Sequence, residues 1–595
     1  MTEFYTGPEG RSNVNTDAHN ADALAALLAE VQQNPAAVWE AVPVLATLPS
    51  AELQAARAAL KAELGGALNL NSFDAALREA RAEARNARRA TLRTDEGRPV
   101  VLLGRQLRDT SRDAMQALLQ ANVPPQLFVR AAKLARVIRD EKNRPVIGDV
   151  GVDELRNLLK TAANFVRFTK SGEVDCDPPE VIARDILAEG EWVFPGLEGV
   201  VEVPTLRPNG SVLSAPGYDP ETMLFFAPPA DAGAIPKVPT APTGEDVLAA
   251  VALLEELTCD FPFTSEADRA NFVGLLLTPF VRPAIDGCVP LAIIDAPQAG
   301  TGKSLLAEVV AVLGTGRKAA LLAAPRDDDE MRKRLTAILR AGSTFVVFDN
   351  VEVPLEFPSL ALALTAHVWQ DRVLGMSDNV ILPQRATWAV TGNNVTLRGD
   401  MPRRTYVIHL DAEQARPWLR DDNAFRHPDL LNWVSANRGP LVGALLTLAR
   451  AWFAAGKPDT TAPVIGGFAE WSRTVGGILT HARIPGFLGN LSELYDAMDD
   501  EGQQWRVFLE AWEECIGQRE VTTGELVAAM VSDAGPTTLR NALPDAAFDR
   551  NGMPDPRRLG HLLKRKDRVR VGDPPRWIAK TRALHKVAQW ALRHD

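Results

Sequence analysis

Residues 291–304 read Leu-Ala-Ile-Ile-Asp-Ala-Pro-Gln-Ala-Gly-Thr-Gly-Lys-Ser, an apolar run that breaks at a glycine-rich turn and resumes as the helical Leu-Leu-Ala-Glu-Val-Val. Strand, permissive turn and helix in that order demand an α/β sheet with the strand buried and the turn at its carboxyl end. The turn's backbone N–H groups and the positive end of the helix then converge on one point. Such a point is a cradle for the phosphates of a nucleoside triphosphate. Gly300, Thr301 and Gly302 let the backbone close around the anion, Lys303 reaches the β and γ oxygens, and the Ser304 hydroxyl ligates Mg²⁺. Pro297 stands where loops of this kind begin with glycine, supplying a rigid bend but no N–H.

A triphosphatase needs a second acidic group for the metal at the end of a neighbouring strand. Thr344-Phe-Val-Val-Phe-Asp349-Asn350 supplies it, because a run of apolar residues ending in Asp fits a strand buried on both faces with Asp349 at its ligand end. The next catalytic position, where a water-polarising glutamate is expected, is Asn350, and Glu352 follows two residues later; Glu352 serves as the base if the strand end curls, and is otherwise an exposed loop acid. A third strand, Ala386-Thr-Trp-Ala-Val-Thr391, runs into Gly392-Asn393-Asn394. An uncharged amide beside the γ-phosphate orients water without adding negative charge, the role expected of Asn393, with Asn394 near the nucleotide. Asp400-Met-Pro-Arg403-Arg404 then offers a guanidinium to complete a site from a neighbouring subunit, which requires an oligomer.

This order of elements resembles the AAA+ ATPases, and within them the superfamily 3 helicases and poxvirus-type primase-helicases of phages, plasmids and integrated elements. The resemblance covers roughly residues 190–595 and rests on Gly300 to Ser304, Asp349-Asn350, Thr391 to Asn394 and Asp400 to Arg404. It implies an ATP- and Mg²⁺-dependent homo-oligomeric ring that moves on DNA, with a primase or polymerase as a possible partner. It also implies a hairpin facing the pore and holding single-stranded DNA. Arg372 to Pro383 reads as two short strands around Ser-Asp-Asn, making Arg372 and Arg385 the candidate pore residues.

A chain of 595 residues exceeds one core, and three or four domains are expected. Its net charge of −11 excludes nucleic-acid binding by bulk electrostatics, so any DNA site must be a local basic surface. Cys176, Cys259, Cys288 and Cys515 are scattered, which excludes a zinc knuckle or disulfide framework and suits a reducing cytoplasm. No apolar run reaches the roughly 20 residues that span a bilayer, and no membrane partner is expected.

The expected fold class is α/β: a P-loop AAA+-like core with a five-stranded parallel sheet, an α+β N-terminal domain, a helical connector and a C-terminal winged-helix-like domain. Residues 1–20 read as a disordered leader and 21–95 as a helical arm, with a long charged helix over 73–89. Residues 96–240 form the α+β domain, where Asn209-Gly210 marks the turn of a hairpin spanning 199–213. Glu173, Asp175 and Asp177 there read as a solvated acidic loop rather than a primase metal site. The ATPase spans 241–415, with strands near 291–295, 318–323, 344–349, 386–391 and 405–410. Residues 416–515 are a helical lid or connector, whose Trp452, Trp471, Trp505 and Trp512 belong to the core.

The last stretch, 516–595, is expected to contact duplex DNA through its backbone. From Arg557 onward, twelve Lys or Arg face three Asp, opposite in sign to the whole chain. Arg558, Lys564, Arg565, Lys566 and Arg570 are the candidates. Two other functions fit the same residues: a protein-remodelling or loader ATPase indifferent to DNA, and an ATP-binding regulatory DNA-binding protein with little turnover.

Overall fold

The computed structural model describes residues 28–31, 34, 36–46, 48, 50–90, 93–95, 97–170, 172–229, 237–372, 379–498, 500–531, 537–572, 574–584 and 587–594. The leader expected at 1–20 lies outside them. The chain divides into two compact units, the first holding the described residues up to Ala121 together with Gly151–Ala188, and the second Asn122–Val150 and everything from Glu189.

In the first unit, helices Ser50–Leu64 and Leu70–Ala90 carry a small apolar cluster built on Val38, Leu60, Phe73 and Leu77. Leu70–Ala90 covers the charged helix expected over 73–89. A four-stranded sheet follows, ordered Arg93–Asp95, Arg98–Leu102, Asn164–Thr169 and Gly172–Cys176, with only the central pair parallel. Helix Val152–Ala162 buries Leu155, Leu159 and Ala162, the i, i+4, i+7 stripe of a one-faced helix. Glu173 and Asp175 are exposed on strand Gly172–Cys176 rather than in a loop, because alternation with Val174 and Cys176 suits an edge strand.

The second unit centres on five parallel strands: β1 Leu291–Ala296, β2 Leu321–Leu322, β3 Phe345–Val351, β6 Thr387–Asn393 and β7 Thr405–His409, in the spatial order β2-β3-β6-β1-β7. Between β3 and β6 in the chain, β4 Val368–Arg372 and β5 Asn379–Pro383 pair as an antiparallel hairpin. Every residue of β1 is buried and β6 is buried up to Gly392, as expected when helices cover both faces. Helix α1 is Gly244–Thr258 and α2 is Glu266–Val281; α2 is buried nearly all round, hence its lack of a polar stripe. Helix α3, Lys303–Thr315, leaves β1 through the glycine turn, and α4, Asp328–Ala341, precedes β3. The arrangement is mixed α/β and compatible with a P-loop-like core. β2 is shorter than the stretch expected over 318–323.

Two local expectations are corrected. The hairpin around Asn209-Gly210 pairs only Thr205–Leu206 with Val212–Leu213, while Gly199–Val201 runs parallel to Leu224–Phe226. Pro204, which lacks an N–H, separates the two segments. The hairpin expected from Arg372 has its first strand earlier, at Val368–Arg372, and its tip at 373–378 lies outside the described residues.

Trp471, Trp505 and Trp512 are fully buried and Trp452 nearly so. Trp505 and Trp512, on helix Asp500–Cys515, pack with Leu526, Leu559, Leu563 and Trp590 in a separate C-terminal core. That region pairs Val521–Thr522, Val587–His594 and Arg576–Leu584 in an antiparallel sheet beside helix Pro556–Arg565. Among the described residues no helix is long and apolar enough to cross a membrane.

Candidate active site

Register sets the site. Asp295 of β1 stands opposite Gly392 of β6 and His409 of β7, and Ala296 opposite Asn393, so the three strands end level. The turn after β1 carries Gly300 at φ +78° and Gly302 at φ +102°, left-handed conformations that favour glycine. Space is short as well. A Cβ on Gly300 would lie 3.0 Å from the backbone N of Trp418, and one on Gly302 3.2 Å from Cε1 of Phe261.

Lys303 opens α3 and is only 8% exposed. Its Nζ donates to Oδ1 of Asn393 at 2.7 Å, to the Gln298 carbonyl at 3.0 Å and to Oγ1 of Thr301 at 3.3 Å. Burial pushes its pKa down, and the charges of Asp295 and Asp349 oppose that shift. All three acceptors are neutral, so the ammonium is aimed by groups that do not cancel its charge.

Ser304 and Thr391 both donate to Oδ1 of Asp349, each at 2.7 Å. The pairing of β3 with β6 shifts between Phe348 and Val351, a bulge at Asp349-Asn350. Asn350 sits at φ +51° there, and its N–H donates to Oγ1 of Thr391 at 2.9 Å. The bulge carries Asn350 and Glu352 outward together, with Nδ2 of Asn350 donating to Oε1 of Glu352 at 3.1 Å. Gly392 is required beside it, because a Cβ would come within 2.8 Å of the Val351 carbonyl. Asn394 is exposed at φ +50°, its N–H reaching the Ala296 carbonyl at 3.3 Å.

The two arginines after Asp400 differ. Arg403 has 71% of its side chain exposed, while Arg404 has 13% and donates to Oγ1 of Thr365 at 2.6 Å. Both grip Asp400, and these hydrogen bonds, Arg403's first, hold its carboxyl down at about 2.

Among the DNA candidates, Arg372 is exposed at the end of β4, while Arg385 stands 3.5 Å from Glu198 at the hairpin's base. In the C-terminal region, Arg558, Lys564, Arg565 and Arg570 are exposed and Lys566 is half-buried. Arg558 donates to the Phe548 carbonyl at 2.8 Å, Lys566 lies over the Trp505 ring at 5.8 Å, and Arg570 over Trp577 at 4.5 Å. Lys566 thus caps a ring of the buried C-terminal core, while Arg570 stacks on Trp577.

Three features escaped sequence reasoning. Thr391 lies inside a recognised segment, yet its link between Asp349 and Asn350 depends on the bulge. Trp418, 59% exposed, comes from a segment more than a hundred residues beyond the turn it approaches. His409 places Nδ1 3.4 Å from Oδ2 of buried Asp295, while its backbone N–H donates to Asp268 at 2.9 Å. The Asp295 carboxylate raises the His409 pKa.

No family model and no curated protein matches this chain. Among solved structures, JCV helicase bound to N-(4-(2-(thiazolo[5,4-c]pyridin-2-yl)phenoxy)phenyl)acetamide is 15% identical, with a TM-score of 0.23. That match covers 45% of this chain and 64% of the JCV helicase chain, so the chain spans a little under two thirds of that protein.

Proposed function

We propose that this chain is a Mg²⁺-dependent ATPase that assembles as a ring, translocates on DNA and unwinds it in replication of a phage, plasmid or integrated mobile element. One observation carries the reading: Lys303, Ser304, Asp349, Thr391 and Asn393 converge at the level ends of three adjacent parallel strands. Chemistry at such a point is chiefly positioning and charge neutralisation.

The turn suits phosphate, because Gly300 and Gly302, both at positive φ, let the backbone curl as anion-binding nests do. A hydroxyl and a carboxylate 2.7 Å apart, Ser304 and Asp349, form an oxygen donor pair suited to Mg²⁺. Mg²⁺, when bound, supplies charge neutralisation at the β and γ oxygens. Lys303 and Asn393 share a hydrogen bond, so one γ oxygen can take both. Asn393 then orients the attacking water, and Glu352, steered by Asn350, takes its proton. Arg403 is the finger offered to a neighbouring subunit, whereas Arg404 serves the internal scaffold. DNA runs past the β4-β5 hairpin, with Arg372 nearest its tip, and the C-terminal domain, read as winged-helix-like, grips duplex backbone through Arg558, Lys564, Arg565, Lys566 and Arg570.

One observation favours a second reading. Asn350 occupies the place where a carboxylate would polarise water, and its amide engages Glu352; a site so built can bind ATP and switch DNA binding without rapid turnover.

Steady-state ATP hydrolysis with and without single-stranded DNA at low salt tests both, using wild type, Lys303→Ala and Arg403→Ala. DNA-stimulated turnover that is lost in each variant and partly restored on mixing supports the shared-site motor. Turnover indifferent to DNA points to a protein-remodelling ATPase, and nucleotide-stabilised DNA binding without turnover supports the regulatory reading.

A further inference from the structure

Away from the glycine turn, the second unit holds a partly open cavity of about 180 Å³ between residues 198–205, the end of α2 and the base of the hairpin. Its walls are mostly apolar, with Val203 and Leu224 among them. Four residues on those walls carry buried polar atoms that no described residue satisfies: Nε of Arg130, Nε of Arg282, and Oγ1 of Thr205 and of Thr387. Each residue is at most 6% exposed. Groups left so in a native interior cost free energy unless something meets them.

The arginines sharpen the point. Arg282 spends its terminal nitrogens on the carbonyls of Ile285 at 3.3 Å and Gln384 at 3.2 Å, and no carboxylate is close enough to support its charge. Burial first and neighbouring Arg385 second lower its pKa to about 10. Arg130 places its terminal nitrogens on the carbonyls of Leu339 and Arg340, both at 2.9 Å, and the charges of Asp149 and Glu198 partly oppose its desolvation. The carboxylates on the walls are engaged elsewhere, Glu198 with Arg385, Glu202 with Arg317 and Glu221 with Arg207. Buried guanidinium Nε groups without an acceptor, set among apolar walls, ask for one kind of guest.

We propose that this cavity binds a small organic anion, with an apolar body against Val203 and Leu224 and an oxygen-bearing anionic head between Arg130, Arg282, Thr205 and Thr387. The site is separate from the phosphate turn and stands whether or not the chain hydrolyses ATP. Its head-group donors include Arg282, which already holds the Gln384 carbonyl beside β5, so occupancy braces the hairpin's base.

Isothermal titration of the full chain with hexanoate, 1-hexanol and inorganic phosphate tests the assignment. Hexanoate is expected to bind saturably and about tenfold more tightly than 1-hexanol. Arg282→Met and the double variant Thr205→Val/Thr387→Val should each weaken it by about tenfold. Equal binding of hexanoate and 1-hexanol would overturn the anionic head, and phosphate binding without hexanoate binding the apolar body. Absence of saturable hexanoate binding would mean that the cavity holds only water. Should Arg282→Met fail to fold, the threonine variant decides, since it removes only hydroxyls that lack partners: unchanged hexanoate affinity in it overturns the proposal.

Discussion

Lys303 and Arg282 are both buried cations in the same unit, and their surroundings differ. Lys303 has two carboxylates near enough to oppose its desolvation, Asp295 and Asp349, and three neutral acceptors that aim its ammonium. Arg282 has two carbonyls, a second arginine nearby and a cavity. The first is a buried charge whose desolvation carboxylates offset, as suits the exchanging anion of the proposed function. The second is a charge sealed among apolar side chains, where removing an anion leaves more of the cost uncompensated. One fold thus stations buried positive charge in two settings, one with carboxylates nearby and one without.

The largest effects should fall on the Lys303 side. Lys303→Ala and Arg403→Ala are each expected to lower ATP turnover on the order of 10³-fold, measured as steady-state phosphate release. Arg403→Ala should leave the melting temperature nearly unchanged, whereas Arg404→Ala, which loses the contact with Thr365, should lower it. Equal loss of stability in the two would place Arg403 in the scaffold. Glu352→Gln should cost turnover about 10²-fold with nucleotide affinity retained; an unaffected rate would move the base elsewhere.

On the Arg282 side the signs reverse. Thr205→Val removes a buried hydroxyl with no partner and should stabilise the ligand-free protein by roughly 1 kcal/mol, read from denaturant unfolding. Destabilisation instead would mean that the hydroxyl is already satisfied. The smallest effect concerns His409. Its folded pKa is raised, so its contribution is complete below its ordinary value of 6.5 and is lost as pH rises through the raised value. His409→Gln should flatten the thermal stability profile above pH 6.5, and an unchanged profile would remove the Asp295 pairing from the account.

The same contrast explains what the sequence could reveal. The meeting of Lys303, Ser304 and Asp349 was legible because the proposed phosphate chemistry calls for fixed residue types at fixed places around strand ends. The buried strands announced themselves as apolar runs, so four of the five lay within a residue or two of their expected bounds. Asn350's outward turn was not legible, since a bulge depends on how two strands slip past one another. Nor were Arg130, Thr205, Arg282 and Thr387, four ordinary residues whose meeting depends on tertiary packing. Pro204 was readable as a breaker, but its consequence, a partner exchange for Gly199–Val201, was not.

The closeness of Trp418 to Gly300 makes residue 300 a spacer. With no side chain there, the loop bearing Trp418 rests against the turn at its minimum separation, and its indole, more than half exposed, stands at the rim. A side chain at 300 would press on Trp418 and push turn and loop apart, besides straining a backbone held at positive φ. The approach of covering loop to turn is therefore limited at one position, and a variant keeping Trp418 as its single tryptophan would report it by fluorescence.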